Sequence, residues 1–151
     1  MSIQVVDRTQ GEVIQAGPMR LRLLEDGQHT DHRLGLLEIT IPPRIPGPPQ
    51  HIHRQHDETF FVISGEPTFT CGGQTITAQP GTLVTAPPGT PHTFANPGDQ
   101  PVVMLCTVTP DLYVNYFRDL AALKPAPNGG LDPKAVGEVM ARYATDVVRP
   151  A

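Results

Sequence analysis

The stretch His51–Gly65, HIHRQHDETFFVISG, decides how the rest of the chain is interpreted. His51 and His53 are two residues apart, and residues two apart on a β-strand point to the same face of the sheet. Glu58 begins a second strand-like run, ETFFVI, and lies in phase with every second residue of it. A tight bend between the two runs would bring the Glu58 carboxylate beside the two imidazoles.

This arrangement points to a metal site. Two imidazoles and a carboxylate on neighbouring strands supply three of the ligands that a divalent metal needs. A fourth ligand is expected from a later strand, and His92 is the one histidine further along the chain. Four such ligands would leave one or two positions of an octahedral ion open to substrate or O₂. The mixed nitrogen and oxygen ligands suit iron, manganese, nickel, cobalt or zinc, and the sequence does not select among them.

The other three histidines are expected to have no role in metal binding. His56 falls in the bend between the two runs, where a solvent-facing turn position is favoured over a substitute ligand role. His29 and His32 lie in the polar segment Glu25–Arg33, which lacks apolar periodicity and is interpreted as a loop with exposed side chains.

Short apolar runs separated by proline and glycine turns continue to residue 108. Leu34–Ile41 and the most apolar run, Val102–Val108, are predicted strands. Pro67–Cys71 and Gln74–Ala78 are predicted to form a hairpin, because Gly72-Gly73 suits the positive φ angles of a tight turn. About eight to ten strands of this kind indicate an all-β sandwich or barrel.

The pattern changes to a helical one after residue 108. Thr109 is a predicted N-cap, and Leu112–Leu123 carries apolar residues at helical spacing. After a Pro/Gly loop at Lys124–Gly130, Asp132-Pro133 begins a second predicted helix that runs to Val148. We expect the two helices to cover an open side of the β core or a dimer interface; a substrate lid is the alternative.

Composition narrows the class of protein. A chain of 151 residues fits one domain, and the net charge of −4 without a Lys/Arg cluster argues against nucleic-acid binding. No leader-like segment or long apolar run is present, which predicts a cytoplasmic protein without a membrane partner. Cys71 and Cys106 lack metal-type spacing and are expected to be reduced thiols in the core.

Two segments resemble the conserved motifs of the cupin superfamily. Gly81–Asn96, GTLVTAPPGTPHTFAN, matches the second cupin motif at every defined position, and the segment from His51 to Gly65 matches the first from its first histidine onward. The first motif has a glycine where this chain has Ile45, and Gly47 stands nearby. The two helices resemble the tail of single-domain bacterial cupins that are described as quercetinase-like.

The resemblance implies a fold and a ligand set. The fold would be a cupin jelly-roll β-barrel over residues 1–110, with motif 1 at 47–65 and motif 2 at 81–96, followed by a helical tail over 111–151 that packs on the barrel. One divalent metal ion inside the barrel would be bound by His51, His53, Glu58 and His92. The phase of the strands also places Phe60, Val62 and Phe94 in the interior beside the metal, as a candidate substrate pocket, although core packing alone would place them there too.

The resemblance also implies candidate functions. The first is a metal-dependent dioxygenase of quercetinase type that acts on a small aromatic or polyphenolic molecule, with Glu58 as catalytic base. The alternatives are a non-redox Lewis-acid cyclase or isomerase of the polyketide-cyclase type, and a non-catalytic small-molecule-binding cupin. A homodimer is expected because small cupins usually pair through exposed strands.

Overall fold

Short strands are the main secondary structure of this chain, which a computed structural model describes over residues 3–124 and 131–148. Most of the predicted loop Lys124–Gly130 lies outside these described residues. The strands are β1 (Glu12–Ala16), β2 (Met19–Asp26), β3 (Gly35–Ile41), β4 (His51–His53), β5 (Asp57–Ser64), β6 (Thr68–Cys71), β7 (Gln74–Thr77), β8 (Leu83–Ala86), β9 (Thr93–Ala95), β10 (Val102–Thr109) and β11 (Thr145–Val147).

The strands form two antiparallel layers that share one hydrophobic core. One layer is a six-stranded sheet in the order β1-β2-β3-β10-β5-β8. The other layer consists of β7-β6-β9 and β11-β4, and a β-bridge between His51 and His92 joins these two parts. Strands that are distant in sequence are therefore neighbours in both layers, as in a jelly roll. The predicted all-β jelly-roll architecture with two C-terminal helices is confirmed.

Strand β5 carries the acidic residue of the predicted site into the core. It pairs with β10 on one side and with β8 on the other. Because its side chains alternate in direction, Glu58, Phe60 and Val62 all point inward and are at most 3% exposed. Phe61, between them, faces outward.

The loop before β4 crosses closely over β9. Ile45, at the position where the first cupin motif has glycine, pairs with Asn96 through two backbone hydrogen bonds. Gly47 has a φ of +75°, and a Cβ atom there would lie 1.7 Å from the carbonyl oxygen of Phe94. The requirement for glycine therefore falls on residue 47 of this chain. The Asn96 side chain donates hydrogen bonds to the carbonyl groups of Ile41, Pro42 and Gln100, which gives it a structural role.

The first predicted helix begins later than expected. Thr109 is not an N-cap, because it still pairs with Asp57 as the last residue of β10. A short 3₁₀ turn over Asp111–Tyr113 follows, and α1 is Val114–Ala121. Leu112 lies in this turn and is 53% exposed rather than buried.

The second helix begins as predicted but ends early. The Asp132 side chain accepts a hydrogen bond from the backbone N–H of Lys134, and α2 is Pro133–Arg142. The predicted extension to Val148 is wrong, because Ala144 adopts a φ of 50° and the chain then forms β11, which pairs with β4. No helix among the described residues is both long and apolar enough to cross a membrane.

The two cysteines differ in environment. Both are free thiols, and Cys106 is fully buried on the inner face of β10 as expected. The expectation of a core position for Cys71 is wrong, because this residue ends β6 at the hairpin tip and is exposed.

Candidate metal centre

The fold brings the four predicted ligands together inside the barrel. Their exposed fractions are 5% for His51, 1% for His53, 3% for Glu58 and 6% for His92. Each residue directs one potential ligand atom to a common point, and these four atoms lie within 4.8 Å of one another. Among the described residues this is the one such cluster of histidine, cysteine and acidic side chains.

Pairing between strands sets the positions of these side chains. His51 and His53 are both buried because they have the same phase on β4. The backbone of His51 exchanges two hydrogen bonds of 3.0 Å with that of His92, which places their rings side by side. The turn before His92 is held by a 2.8 Å hydrogen bond from the N–H of Gly89 to the carbonyl oxygen of His53.

Glu58 is the centre of the cluster. Its Oε2 atom lies 2.9 Å from His53 Nε2 and 3.0 Å from His92 Nε2. Its other oxygen, Oε1, accepts a hydrogen bond of 3.3 Å from the Cys106 thiol. Burial raises the pKa of Cys106 well above its usual range, so this group remains a neutral donor. The thiol therefore occupies Oε1 and leaves Oε2 to face the histidines.

The charges of the cluster suit a cation. Burial raises the pKa of Glu58, but the hydrogen bonds from His53 and His92 lower it further, so that it lies well below the usual range. Burial lowers the pKa of His51 to about 4, which keeps this ring neutral at neutral pH. Burial also lowers the pKa of His92, but its hydrogen bond to Glu58 outweighs this effect and the pKa is raised. A metal would replace the proton that His92 shares with Glu58.

The spacing of the ligand atoms fits a divalent ion. Ligands at about 2.1 Å from a metal are about 3.0 Å apart in neighbouring octahedral positions and about 4.2 Å apart in opposite ones. The separations of 2.9 and 3.0 Å around Glu58 match the first value. All separations among the four ligand atoms are within 4.8 Å, which slightly exceeds the distance of about 4.2 Å expected for opposite positions. The cluster therefore fits such an ion after a small contraction. Three nitrogens and one oxygen do not identify the metal.

Each of the three histidines in the cluster has a hydrogen-bond partner for its Nδ1 atom. Nδ1 of His51 lies 2.9 Å from the carbonyl oxygen of Pro49, and Nδ1 of His92 lies 2.9 Å from that of Thr90. The partner of His53 Nδ1 is the Thr145 hydroxyl, also at 2.9 Å. Thr145 was not among the predicted site residues, since it lies 92 residues from His53 in a segment with a helical pattern.

An apolar cavity of about 80 Å³ lies beside the cluster. His51 and Glu58 belong to its wall, which the barrel completes with side chains such as Leu21, Ile39 and Phe94. The remaining wall comes from the C-terminal region: Tyr113, Tyr116, Phe117, Leu120, Val136 and Met140. The helical tail therefore covers the barrel at the side where the cluster is accessible.

The three predicted pocket residues lie in different places. Phe94 lines the apolar cavity. Phe60 is fully buried behind His92, with ring centroids 6.3 Å apart, and lines a separate cavity that also contacts His92. Val62 is fully buried and lines neither of these two cavities. The phase of the strands thus predicted an interior position for each residue, but not which of them faces the cavity.

The prediction for His56 is wrong. This residue is 2% exposed, and its ring packs against both His53 and Tyr113 at centroid distances of 4.2 and 4.7 Å. Burial lowers its pKa to about 4. It does not belong to the ligand cluster. His29 and His32 are exposed, as predicted.

Comparison with known proteins supports the cupin superfamily. Residues 37–108 match the family model described as the cupin domain. An RmlC-like cupin from Shewanella frigidimarina is 22% identical with a TM-score of 0.62, and the alignment covers 72% of this chain and 92% of that one. No curated protein sequence matches the chain significantly.

Two further solved structures of the same fold have names that refer to different reactions. A sugar phosphate isomerase of the cupin superfamily from Silicibacter pomeroyi is 19% identical, with a TM-score of 0.63, covering 70% of this chain and 75% of that one. A predicted oxalate decarboxylase from Thermotoga maritima is 18% identical, with a TM-score of 0.63, covering 70% of this chain and 98% of that one. At these identities the likeness concerns the fold alone, and a quercetinase-like subtype is not distinguished.

Proposed function

We propose that this protein is a metal-dependent enzyme that acts on a small aromatic molecule, and that the reaction is a dioxygenation. The observation that supports this proposal is that His51 and Glu58 belong both to the ligand cluster and to the wall of the apolar cavity. The rest of the wall is mostly apolar and aromatic, so the polar group of a bound molecule would be directed to the cluster.

The four ligands define what a metal would contribute. An ion bound by His51, His53, Glu58 and His92 would supply Lewis acidity and, if it is redox-active, a centre for reaction with O₂. The protein's own contribution begins with burial, because a dry cavity strengthens electrostatic interactions with the substrate.

Glu58 is the proposed general base. It is the only carboxylate among the described residues that line the cavity, so it is the acidic residue that can accept the proton of a substrate hydroxyl there. Its pKa is low while two imidazoles donate to Oε2. A metal bound by the imidazole nitrogens would remove these hydrogen bonds, but its positive charge also lowers the pKa of a carboxylate that binds it, so Glu58 would act as base when it has moved off the ion.

The size of the cavity favours a one-ring substrate over a polyphenol. Its volume of about 80 Å³ is smaller than the cavity of about 150 Å³ that holds benzene in an engineered protein. A phenol or catechol would need a modest outward shift of the wall formed by α1 and α2. A three-ring polyphenol would require both helices to move away from the barrel.

The proposal is tested first by metal analysis and then by oxygen consumption. Protein purified without added metal is expected to contain about one metal per chain, and the His51→Ala/His92→Ala variant is expected to lose it. The loaded protein should consume O₂ with phenols or catechols, and Glu58→Gln should lose turnover while retaining part of the metal. Unchanged turnover in Glu58→Gln would refute the role of Glu58 as base.

A non-redox reaction at the same site is the second candidate. Three nitrogens and one oxygen also suit zinc, which supports Lewis-acid chemistry without redox steps. Two solved structures with this fold are named as an isomerase and a decarboxylase. Zinc in the purified protein, with product formation under anaerobic conditions, would favour this candidate. A protein that takes up no metal would instead be a small-molecule-binding cupin.

A further inference from the structure

Two of the three histidines have their tautomer fixed by a neighbouring backbone group. Nδ1 of His51 and Nδ1 of His92 each lie 2.9 Å from a backbone carbonyl oxygen two residues earlier. A carbonyl oxygen can only accept, so Nδ1 must carry the proton in both rings. Nε2 is then the ring nitrogen left for a metal, and a contact between residues two apart in the sequence is enough to select it.

His53 depends on a distant residue instead. Its Nδ1 lies 2.9 Å from the Thr145 hydroxyl, which can either donate or accept and therefore does not fix a tautomer by itself. The hydroxyl has only one proton, however, and donates it to the carbonyl oxygen of Tyr143 at 3.1 Å. The hydroxyl oxygen is therefore left to accept a hydrogen bond from His53, so Nδ1 of this ring also carries a proton.

The C-terminal strand places the hydroxyl firmly. Thr145 is directly opposite His53 in the register of β11 and β4, and opposite residues of antiparallel strands direct their side chains to the same face. The pairing is extended by hydrogen bonds from Arg54 N to Ala144 O (2.9 Å) and from Val148 N to Gln50 O (2.8 Å). Thr145 is 1% exposed, so water cannot replace the hydroxyl without a rearrangement.

We propose that Thr145 is a positioning residue of the metal centre, and that β11 is therefore a functional part of it. The Thr145 hydroxyl orients the His53 ring and holds a proton on Nδ1, so that Nε2 is the nitrogen that binds the metal in place of the proton it shares with Glu58. The proposal rests on the metal site put forward above. Groups that hold the second nitrogen of a metal-binding histidine affect metal affinity strongly, because they select both the tautomer and the ring orientation.

Zinc affinity of three threonine variants tests this role. Thr145→Val keeps the shape of the side chain but removes the acceptor, and should weaken zinc binding about 10- to 100-fold. Thr145→Ser restores the hydroxyl and should bind zinc within about threefold of wild type. Thr107→Val is the matched control, because it removes a half-buried hydroxyl on the outer face of the six-stranded sheet, where it is hydrogen-bonded to Thr59. This variant should bind zinc as the wild-type protein does.

A second measurement reads the tautomer directly. In the zinc-loaded wild-type protein, ¹⁵N NMR of the histidine rings should show His53 bound through Nε2, with a hydrogen-bonded proton on Nδ1. Circular dichroism of the zinc-free variants checks that each one folds. If Thr145→Val does not fold, the NMR spectrum of the wild-type protein still decides, because zinc bound through Nδ1 of His53 would overturn the proposal.

The remaining outcomes separate this inference from the proposed function. Wild-type affinity in Thr145→Val would overturn the role of Thr145 alone and leave the metal site intact. An equal loss in Thr145→Ser and Thr145→Val would assign the effect to packing and also overturn it. A wild-type protein that binds no zinc or other divalent metal would overturn both proposals together.

Discussion

Replacement of Glu58 by glutamine should remove most of the stabilisation that zinc gives to the fold. Glutamine has nearly the same size, so the substitution chiefly removes the negative charge. In the structure this carboxylate is 3% exposed and contacts two imidazoles and the Cys106 thiol. As a charged ligand it should contribute at least as much to metal affinity as the groups that orient ligands, for which losses reach about 100-fold.

The size of the effect follows from mass action. Zinc at about 100 times the wild-type Kd stabilises the folded protein by about 2.7 kcal/mol, whereas a variant with about 100-fold weaker binding gains only about 0.4 kcal/mol. About 1 kcal/mol corresponds to about 2–4 °C in Tm for a domain of this length. The zinc-dependent increase in Tm should therefore be about 5–9 °C smaller in Glu58→Gln than in wild type.

Differential scanning calorimetry with zinc and with a chelator measures this difference. The chelator series removes any effect of the substitution on the metal-free fold, because only the zinc-dependent change in Tm is compared. Glu38→Gln is the matched control, since it breaks the ion pair with Arg22 on the outer face of β3 and should keep the full zinc effect. An undiminished zinc effect in Glu58→Gln would refute the assignment of Glu58 as a ligand.

Three further predictions concern other parts of the molecule. A thiol reagent should modify only Cys71 in the native protein and both cysteines in denaturant, because Cys106 is buried and its pKa is raised; rapid loss of both native thiols would contradict this. With metal removed, the free energy of unfolding should fall between about pH 7.5 and about pH 5, because the unfolded chain protonates His51 and His56 near pH 6.5 and the folded chain protonates each only near pH 4. Each of these two histidines contributes about 2 kcal/mol at about pH 5, partly offset by His92, whose pKa is raised. Equal or higher stability at the lower pH in urea unfolding would contradict this prediction. Two copies of the protein should associate through the outer face of β5 and β8, where Phe61 is 42% exposed. Phe61→Asp should then convert the dimer to a monomer in light scattering. A monomeric wild-type protein would contradict this prediction.

Part of the wall of the apolar cavity beside the ligand cluster comes from the helical tail. Tyr113, Tyr116 and Phe117 form part of its wall, and the Tyr113 ring also packs against His53 at a centroid distance of 4.4 Å. Residues after the barrel therefore contribute to the cavity as well as to the surroundings of a ligand. Variation in this tail is expected to change which molecules enter the cavity without changing the four ligands themselves.

Local sequence patterns were sufficient for the strands up to β10 and for the ligand cluster. The spacing of His51 and His53 places both rings on one face, because side chains alternate along a strand whatever the rest of the chain does. The phase of Glu58 on β5 is determined in the same way. Glycines at tight turns, such as Gly72 with a φ of 57°, mark the ends of strands through a steric requirement that is equally local.

Other features depended on contacts between distant parts of the chain. His56 has the sequence surroundings of an exposed turn, and it is buried because residues distant in sequence, such as Tyr113, pack against it. The error for Cys71 was local instead, because this residue borders the Gly72-Gly73 turn of the predicted hairpin and is exposed at its tip. The alternation of side chains along a strand predicts that Phe94 and Val62 both point inward. It does not predict that Phe94 lines the apolar cavity and Val62 does not.

The C-terminal segment shows most clearly what the sequence determined and what the tertiary structure decided. The Asp132-Pro133 start of α2 was readable because capping involves neighbouring residues only. The end of α2 was not, since Val147 continues the helical spacing and only pairing with β4 makes residues 145–147 a strand. The sequence alone thus determined which side chains can bind a metal. Tertiary structure decided that Thr145 holds one of them, because a hydrogen bond across 92 residues leaves no local pattern.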